Sequence, residues 1–175
     1  MLFRSVGIEP GAVSAMAASS IAGIEVRRKV FDESDFTDGE IDFVSMIHVL
    51  DHLINPMIFL KKLRRKVAEG GICFVVVHNI DSFIARVSGI RWPPLGVIHF
   101  DYFTPATLRK IFELAGWNVL QTFHTVNYFP LYHLVRFCPG IPPLLRRFFY
   151  YITCSKICSN IYLRLQLGNI GVIAV

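Results

Sequence analysis

Short apolar runs alternate along the chain with segments of helical periodicity. Each run is rich in β-branched or aromatic residues and stops at a turn, which is typical of strands in a buried sheet. Ile72–Val77 is the clearest case, because its uninterrupted apolar character predicts a central strand covered on both faces. Strands are expected at Ser5–Glu9, Glu25–Phe31, Ile41–Ile47, Ile72–Val77, Trp117–Phe123 and Asn169–Val175.

Helices are predicted between these strands by their end signals as well as by their periodicity. Asn55 and Thr104 are N-cap residues followed directly by proline, and Gly23 closes an alanine-rich segment. The repeated strand, helix, strand order predicts a mostly parallel α/β sheet with right-handed crossovers. Helices are expected at Ala12–Ala22, from Pro56 to Gly70, from Pro105 to Gly116, at Tyr128–Phe137 and at Pro143–Leu165.

Composition and charge favour a single globular domain that does not bind nucleic acid. The 175 residues are 53% hydrophobic and 18% charged, which suits one buried core, so one domain is the default expectation. The net charge of +5 arises at the C-terminal end, whereas the remainder is balanced, so no nucleic-acid partner is expected. The basic residues of that end are Arg136, Arg146, Arg147, Lys156 and Arg164, and no carboxylate follows Glu113.

The cysteines indicate neither a metal site nor a disulfide framework. The sequence has no CxxC pair and no tight His/Cys cluster, so no metal is expected, and reduced thiols in the cytoplasm are the simplest interpretation. Basic residues interrupt the aromatic C-terminal part, so no stretch reaches the roughly 18 to 20 apolar residues of a membrane span. The cysteines are Cys73, Cys138, Cys154 and Cys158.

Four segments occur in the same order as in one known family. VGIEP at Val6–Pro10 is followed by FDESDFTDGEIDFVSMIHVLDHLINP, then by LKKLRRKVAEGGICFVVVHN, then by HFDYFTPATLRKIFELAGWNV. From Val6 to about Phe123 they resemble class I S-adenosylmethionine-dependent methyltransferases, of the methyltransferase domain 23/11 type. The resemblance implies a Rossmann-like α/β fold with helices flanking the sheet, an antiparallel last strand, and S-adenosylmethionine as cofactor.

The resemblance also implies residues that contact this cofactor. Glu9 matches the acidic residue at the end of the family's second strand, whose two acceptor oxygens bind both ribose hydroxyls. Phe31 and Asp32 match the apolar and acidic residues around adenine, and His48 lies in the loop after the next strand. Each has a structural alternative, because Glu9 can be an ordinary polar strand end, Phe31 a core residue, and Asp32 a solvated turn carboxylate.

Two histidine-containing motifs resemble those of a methyltransferase subgroup: Leu50-Asp51-His52 and the segment from His99 to Pro105. A neutral imidazole can remove a proton from a hydroxyl acceptor, so histidines near these motifs are candidate general bases. Asp51 and His52 can instead cap and orient the next helix. The candidate bases are His48, His52 and His99, and further candidate lining residues are His78, Asn79 and Tyr102.

One family feature has no counterpart here, namely the first strand with the GxGxG loop that bends around the methionine portion of the cofactor. We therefore interpret residues 1–175 as a partial, N-terminally truncated methyltransferase domain that binds the cofactor poorly. In the family the first strand separates the second from the fourth. Either an exposed groove or a direct, abnormal pairing is thus expected between Val6–Glu9 and Phe43–Ile47.

Residues 127–165 are expected to form a helical insertion or lid before the last strand. Their arginines and aromatics also suit peripheral attachment to an anionic membrane through 128–165, and a dimer contact is a third alternative. The implied function is methyl transfer to a small-molecule or lipid-linked acceptor. The alternative is a noncatalytic methyltransferase-like remnant or interaction module.

Overall fold

The structure is a computed structural model that describes residues 4–96, 98–132, 135, 142–154, 158, 160–166 and 168–175, and of Ala22 only the backbone. Its strands are β1 Val6–Ile8, β2 Glu25–Arg27, β3 Ile41–Ile47, β4 Val67–His78, β5 Val119–His124, β6 Asn127–Pro130, β7 Tyr162–Leu165 and β8 Asn169–Ala174. Its helices are α1 Ala12–Ala22, α2 Pro56–Lys66, α3 Phe83–Ser88, α4 Pro105–Leu114 and α5 Pro143–Thr153.

The main sheet has four strands in the order β3-β4-β8-β5. β3 and β4 are parallel, whereas β8 runs antiparallel to both β4 and β5. β1 and β2 form a separate parallel pair, and β6 and β7 pair in antiparallel fashion. The predicted α/β class is therefore confirmed, including the antiparallel last strand, in a sheet that is mixed rather than purely parallel.

The core lies where α2 and α4 cover one face of the main sheet. Leu60 and Leu63 of α2 and Leu108 and Phe112 of α4 are almost fully buried against β4 and β8. The indole Nε1 of Trp117 donates a hydrogen bond of 3.1 Å to the carbonyl oxygen of Leu60, which joins the end of α4 to α2. Because these apolar stripes recur with helical spacing, the sequence predicted both helices.

The start signals of these two helices act as predicted. The Thr104 hydroxyl accepts a hydrogen bond from the backbone N–H of Thr107 at the start of α4, and Asn55 caps α2 in the same way. The end of α2 differs from the prediction, because the helix ends at Lys66 and β4 begins at Val67. Strand pairing explains the difference, since Val67 already lies opposite Ile41 of β3.

β1 and β3 are not hydrogen-bonded to each other within the described part of the chain. The side chains of Phe43 and Ile47 on β3 are each 59% exposed. Of the two expected arrangements, the exposed one is confirmed and the direct pairing is wrong. The truncation itself stays a prediction.

The segment after β2 is fastened to α2. The Glu33 carboxylate forms ion pairs with Lys62, at 3.0 Å, and with Arg65. Phe31 packs edge-on against Phe59 of α2, with 5.3 Å between ring centroids. The prediction that the second strand continues to Phe31 is wrong, because pairing with β1 stops at Arg27 and the chain then turns toward α2.

The C-terminal part is less helical than predicted. Residues 127–130 are strand β6 rather than the start of a helix, because they pair with residues 162–165, which were expected to be helical as well. Of the described residues of the second expected helix, Pro143–Thr153 are helical. Residues 133–134 and 136–137 of the first expected helix lie outside the described residues, as do Arg136, Cys138 and Lys156. The lid role of 127–165 stays a prediction.

Among the described residues no helix is both long enough and apolar enough to cross a membrane.

Candidate functional site

Five of the candidate site residues lie at or just after the ends of four strands. Glu9 follows β1, Phe31 and Asp32 follow β2, His48 follows β3, and His78 is the last residue of β4. Ligands of open α/β sheets bind at the carboxyl ends of parallel strands, because the loops there converge and leave a crevice. His48 and His78 lie at such ends in the main sheet, and Glu9, Phe31 and Asp32 follow the strands of the separate β1-β2 pair.

Phe31 and Asp32 line a cleft of about 220 Å³ between the segment after β2 and the start of α2. Asp32 also has a local structural role, because its Oδ1 accepts hydrogen bonds from the backbone N–H and the hydroxyl of Ser34, at 2.9 and 2.6 Å. These bonds lower the pKa of Asp32 below its ordinary value. The other lining residues are Glu33, Leu53, Ile54, Asn55, Ile58, Phe59 and Lys62.

Glu9 stands at the start of α1. Its backbone N–H donates to the carbonyl oxygen of Arg27 at 3.1 Å, and its Oε1 accepts a hydrogen bond of 2.7 Å from the backbone N–H of Gly11. Among the described residues Oε2 has no hydrogen-bond partner. One carboxylate oxygen therefore orients the side chain against the helix start, and the other is available to a ligand hydroxyl.

Four histidines and one aspartate form what we call the histidine cluster: His48, Asp51, His52, His78 and His99. Asp51 is 1% exposed and its Oδ2 accepts a hydrogen bond of 2.8 Å from Nδ1 of His78. Nδ1 of His48 lies 3.1 Å from the same nitrogen of His78. Two elements thus bring together side chains that are 30 residues apart in the chain.

His48 has a strained backbone. Its φ is +54°, and within the described residues it is the one non-glycine residue with a positive φ. Such a conformation costs of order 1 to 3 kcal/mol and persists only where the surroundings hold it. The Nδ2 of Asn169, on β8, lies 3.4 Å from Nε2 of His48, so three strands converge on this imidazole.

The other two histidines also lie close to Asp51. Nδ1 of His52 donates to the carbonyl oxygen of Ile98 at 2.6 Å, which leaves Nε2 with the lone pair of a neutral imidazole. The His52 and His99 ring centroids are 4.3 Å apart, and Nε2 of His99 is 3.9 Å from Oδ2 of Asp51. Each of the three predicted bases is therefore in the cluster.

Burial lowers the pKa of two histidines of the cluster, whereas hydrogen bonding and nearby charges lower that of the aspartate. Desolvation, followed by the nearby charge of His78, lowers the pKa of His48, and desolvation followed by His52 lowers that of His99. Burial alone would raise the pKa of Asp51, but the hydrogen bond from His78 and the charges of His78 and His52 outweigh it, so this pKa is lowered. The lowered pKa values favour the neutral form of His48 and His99 and the charged form of Asp51.

The structure adds two residues that no sequence pattern had selected. Trp92 is 4% exposed and covers His78, with 6.0 Å between ring centroids, and Asn169 approaches His48 from β8. Asn169 is 121 residues from His48, and no periodic signal connects such distant positions. Asp51 and His78 were recognised as lining residues, but their direct pairing was not predicted.

The protein is Rossmann-like: it has a mixed sheet flanked by helices, a separate parallel strand pair, and a candidate nucleotide-type site with acidic, aromatic and histidine side chains after these strands. A family model described as a methyltransferase domain matches residues 2–122. The chain belongs to this methyltransferase domain family.

Similar proteins agree with this assignment. The ubiquinone biosynthesis O-methyltransferase of Azorhizobium caulinodans is 27% identical over 128 residues, which cover 66% of this chain and 51% of that protein. The chain thus spans about half the length of this curated relative.

Solved structures show the same fold. A methyltransferase from Thermotoga maritima, described as a possible histamine N-methyltransferase, has a TM-score of 0.64 at 17% identity, over 98% of this chain and 72% of that chain. A second from Archaeoglobus fulgidus has a TM-score of 0.57 at 17% identity, over 97% and 75%. A [4+2]-cyclase has a TM-score of 0.57 at 16% identity, over 97% and 65%. The fold therefore also occurs in a protein named for other chemistry.

Proposed function

We propose that this chain is part of an S-adenosylmethionine-dependent methyltransferase that transfers a methyl group to an oxygen of a small-molecule or lipid-linked acceptor. The observation that carries the proposal is the position of Glu9, of the cleft with Phe31 and Asp32, and of the histidine cluster at or after strand ends, in the family's order. The similarity to a ubiquinone biosynthesis O-methyltransferase supports oxygen as the acceptor atom.

The residues at the ribose and adenine positions fit S-adenosylmethionine. Glu9 has a carboxylate oxygen, Oε2, that is free to accept from a ribose hydroxyl, and Phe31 supplies an apolar wall to the neighbouring cleft. When bound, the cofactor supplies an electrophilic methyl group on a sulfonium. This chain has no GxGxG segment, so we expect its own affinity for the cofactor to be weak.

The histidine cluster can prepare the acceptor. A hydroxyl attacks a methyl group faster once a base removes its proton, and a positioned histidine typically contributes about 10²- to 10⁴-fold. His52 suits this role, because its bond to Ile98 fixes the tautomer with a basic Nε2. His48 and His99 have lowered pKa values and are in the basic form at neutral pH.

The direct test measures cofactor binding by two variants, one at Glu9 and one at Glu25, which lie at opposite ends of the β1-β2 pair. Glu9→Gln and Glu25→Gln make the same chemical change, but Glu25 lies at the start of β2, away from the candidate site. Losing a charged acceptor costs about 1 to 3 kcal/mol, so Glu9→Gln should weaken binding roughly 5- to 150-fold. Ligand-observed NMR with S-adenosylmethionine measures the weak binding expected here.

Equal affinities of Glu9→Gln and the unchanged chain would remove Glu9 from the site. Tight, stoichiometric binding by residues 1–175 would instead show that the glycine-rich loop is dispensable. Methyl transfer itself is followed with methyl-labelled cofactor and acceptors that have a phenolic hydroxyl, with and without an isoprenoid tail.

A second candidate function is a noncatalytic interaction module with a methyltransferase-like fold. The exposed edge of β3, with Phe43 and Ile47 each 59% exposed, favours it. Exposed strand edges are ready templates for pairing with another chain. No binding of the cofactor even at millimolar concentration, together with pairing of a partner strand, would favour this function.

Peripheral membrane contact is a further part of the proposal. On α5 the apolar side chains of Leu144, Phe148 and Tyr151 are 85%, 59% and 63% exposed, beside the exposed Arg146 and Arg147. Aromatic and basic residues on one exposed helix suit the headgroup region of an anionic bilayer. Such contact would bring the site to a lipid-linked acceptor.

A further inference from the structure

The tightest part of the histidine cluster consists of three ligand-type atoms. His48, Asp51 and His78 each present one such atom, and all three lie within 4.8 Å of one another. The two imidazole Nδ1 atoms are 3.1 Å apart, and the His78 nitrogen is 2.8 Å from Oδ2 of Asp51. At these separations the three side chains need only small movements to meet a common centre.

Protons alone do not satisfy these atoms. If His78 donates its Nδ1 proton to Asp51, it has no lone pair on Nδ1 to accept a hydrogen bond from His48. Asp51 and His48 must then share this single proton. If His78 instead accepts from His48, its lone pair faces the carboxylate at 2.8 Å. A single cation at the centre satisfies both nitrogens and the carboxylate.

One buried polar atom of these three side chains points to the same conclusion. Oδ1 of Asp51 has no hydrogen-bond partner, although the side chain is only 2% exposed. Unpaired buried polar atoms are rare in native proteins, because each costs of order 1 to 3 kcal/mol, and a bound ion is one way to remove that cost.

We propose that His48, His78 and Asp51 form a binding site for a divalent transition-metal ion, with Zn²⁺ as the best-fitting ion. Zinc bonds to imidazole nitrogen at about 2.0 to 2.1 Å, so two nitrogens on a tetrahedral ion stand about 3.3 Å apart, near the separation of the two Nδ1 atoms. Two nitrogens and one carboxylate favour zinc over Mg²⁺ and Ca²⁺, which prefer oxygen. Three protein ligands leave one position for water or a ligand oxygen.

No spacing motif in the sequence indicates this site, since its ligands come from the end of β3, the loop after it and the end of β4. The strained φ of His48 is consistent with a side chain that is aimed at a ligand. The test uses neither the cofactor nor an acceptor, so its outcome is independent of the proposed methyl transfer.

The test is calorimetric titration of the chelator-treated chain with Zn²⁺, with Mg²⁺ and Ca²⁺ as comparison ions. One zinc per chain is expected, with no binding of Mg²⁺ or Ca²⁺ at the same concentration. The variants His48→Gln, His78→Gln and Asp51→Asn should each weaken zinc binding at least about tenfold. His124→Gln, at an exposed histidine at the end of β5, should bind zinc like the unchanged chain.

Two further measurements make the result decisive. Cobalt substitution should show no sulfur-to-cobalt charge-transfer band, and the imidazole NMR signals of His48 and His78 should shift in the unchanged chain on addition of zinc. Three results would overturn this ligand set. They are a thiolate band, equal zinc binding by the His48 and His78 variants and the unchanged chain, and a loss of zinc binding that is confined to His52→Gln and His99→Gln. Absence of zinc binding to the folded, unchanged chain would overturn the site altogether.

Discussion

Replacing Phe31 by alanine separates its packing role from its proposed contact with adenine. Phe31 is half-buried, packs edge-on against Phe59 and lines the cleft. Alanine in place of a fully buried phenylalanine costs about 3 to 5 kcal/mol. Because Phe31 keeps part of its surface in water, we expect about half of that, roughly 1.5 to 2.5 kcal/mol of unfolding free energy.

The cofactor effect is estimated from base stacking. Removing an aromatic side chain that stacks on a base costs about 1 to 3 kcal/mol, which corresponds to a roughly 5- to 150-fold weaker affinity. Phe36→Ala is the matched control, because Phe36 is also half-buried and stacks on Phe31 at 6.3 Å, yet it is not among the residues that line the cleft. We expect it to lower stability without changing affinity for S-adenosylmethionine.

Urea denaturation measures the stability term, and ligand-observed NMR below the unfolding transition measures the affinity term. If Phe31→Ala and Phe36→Ala weaken cofactor binding equally, the effect is general loosening of the segment after β2. If Phe31→Ala destabilises the chain and leaves affinity unchanged, Phe31 is a packing residue and the adenine assignment is wrong.

Three further predictions concern stability and surface binding. Gly171→Ala should lower the unfolding free energy by about 1 to 3 kcal/mol, because a Cβ there would lie 2.4 Å from the Phe123 ring. Gly96→Ala is the control, because a Cβ there would lie in open space. Equal denaturation midpoints of the two variants would refute the clash. The lowered pKa of His48 means that the unfolded chain takes up protons first, so stability is complete above the ordinary value of 6.5 and falls as pH drops below it. The unfolding free energy of His48→Gln, measured by urea denaturation, should fall less steeply as the pH drops. An unchanged slope would show that His48 does not cause the decline. Binding to anionic liposomes through α5 should fade as the Debye length shrinks from about 10 Å at 0.1 M to about 3 Å at 1 M salt; no co-sedimentation at low salt would end the membrane proposal.

The sequence alone determined most element identities. Ile41–Ile47 and Ala12–Ala22 form where they were predicted, because short-range patterns of apolar residues and turn residues specify them. Thr104 and Asn55 act as helix caps for the same reason, since a cap depends on contacts within one helical turn. The order of the family segments also identified the fold.

Tertiary contacts decided the rest. Residues 127–130 are strand only because residues 162–165 pair with them, and no local pattern reveals a partner more than thirty residues away. β2 stops at Arg27 rather than Phe31 because Phe31 finds Phe59 on α2. A strand continues only as far as its neighbour pairs with it, so its end is a property of two segments.

The histidine cluster shows the same division at the candidate site. The sequence identified His48, His52 and His99 as chemically capable residues, because a residue type and its place after a strand can be recognised locally. The 2.8 Å contact of His78 with Asp51, and the 3.1 Å contact of His78 with His48, exist only because β3 and β4 are parallel neighbours whose ends coincide. Sheet pairing determines which side chains meet, and with it whether separate histidines become one site.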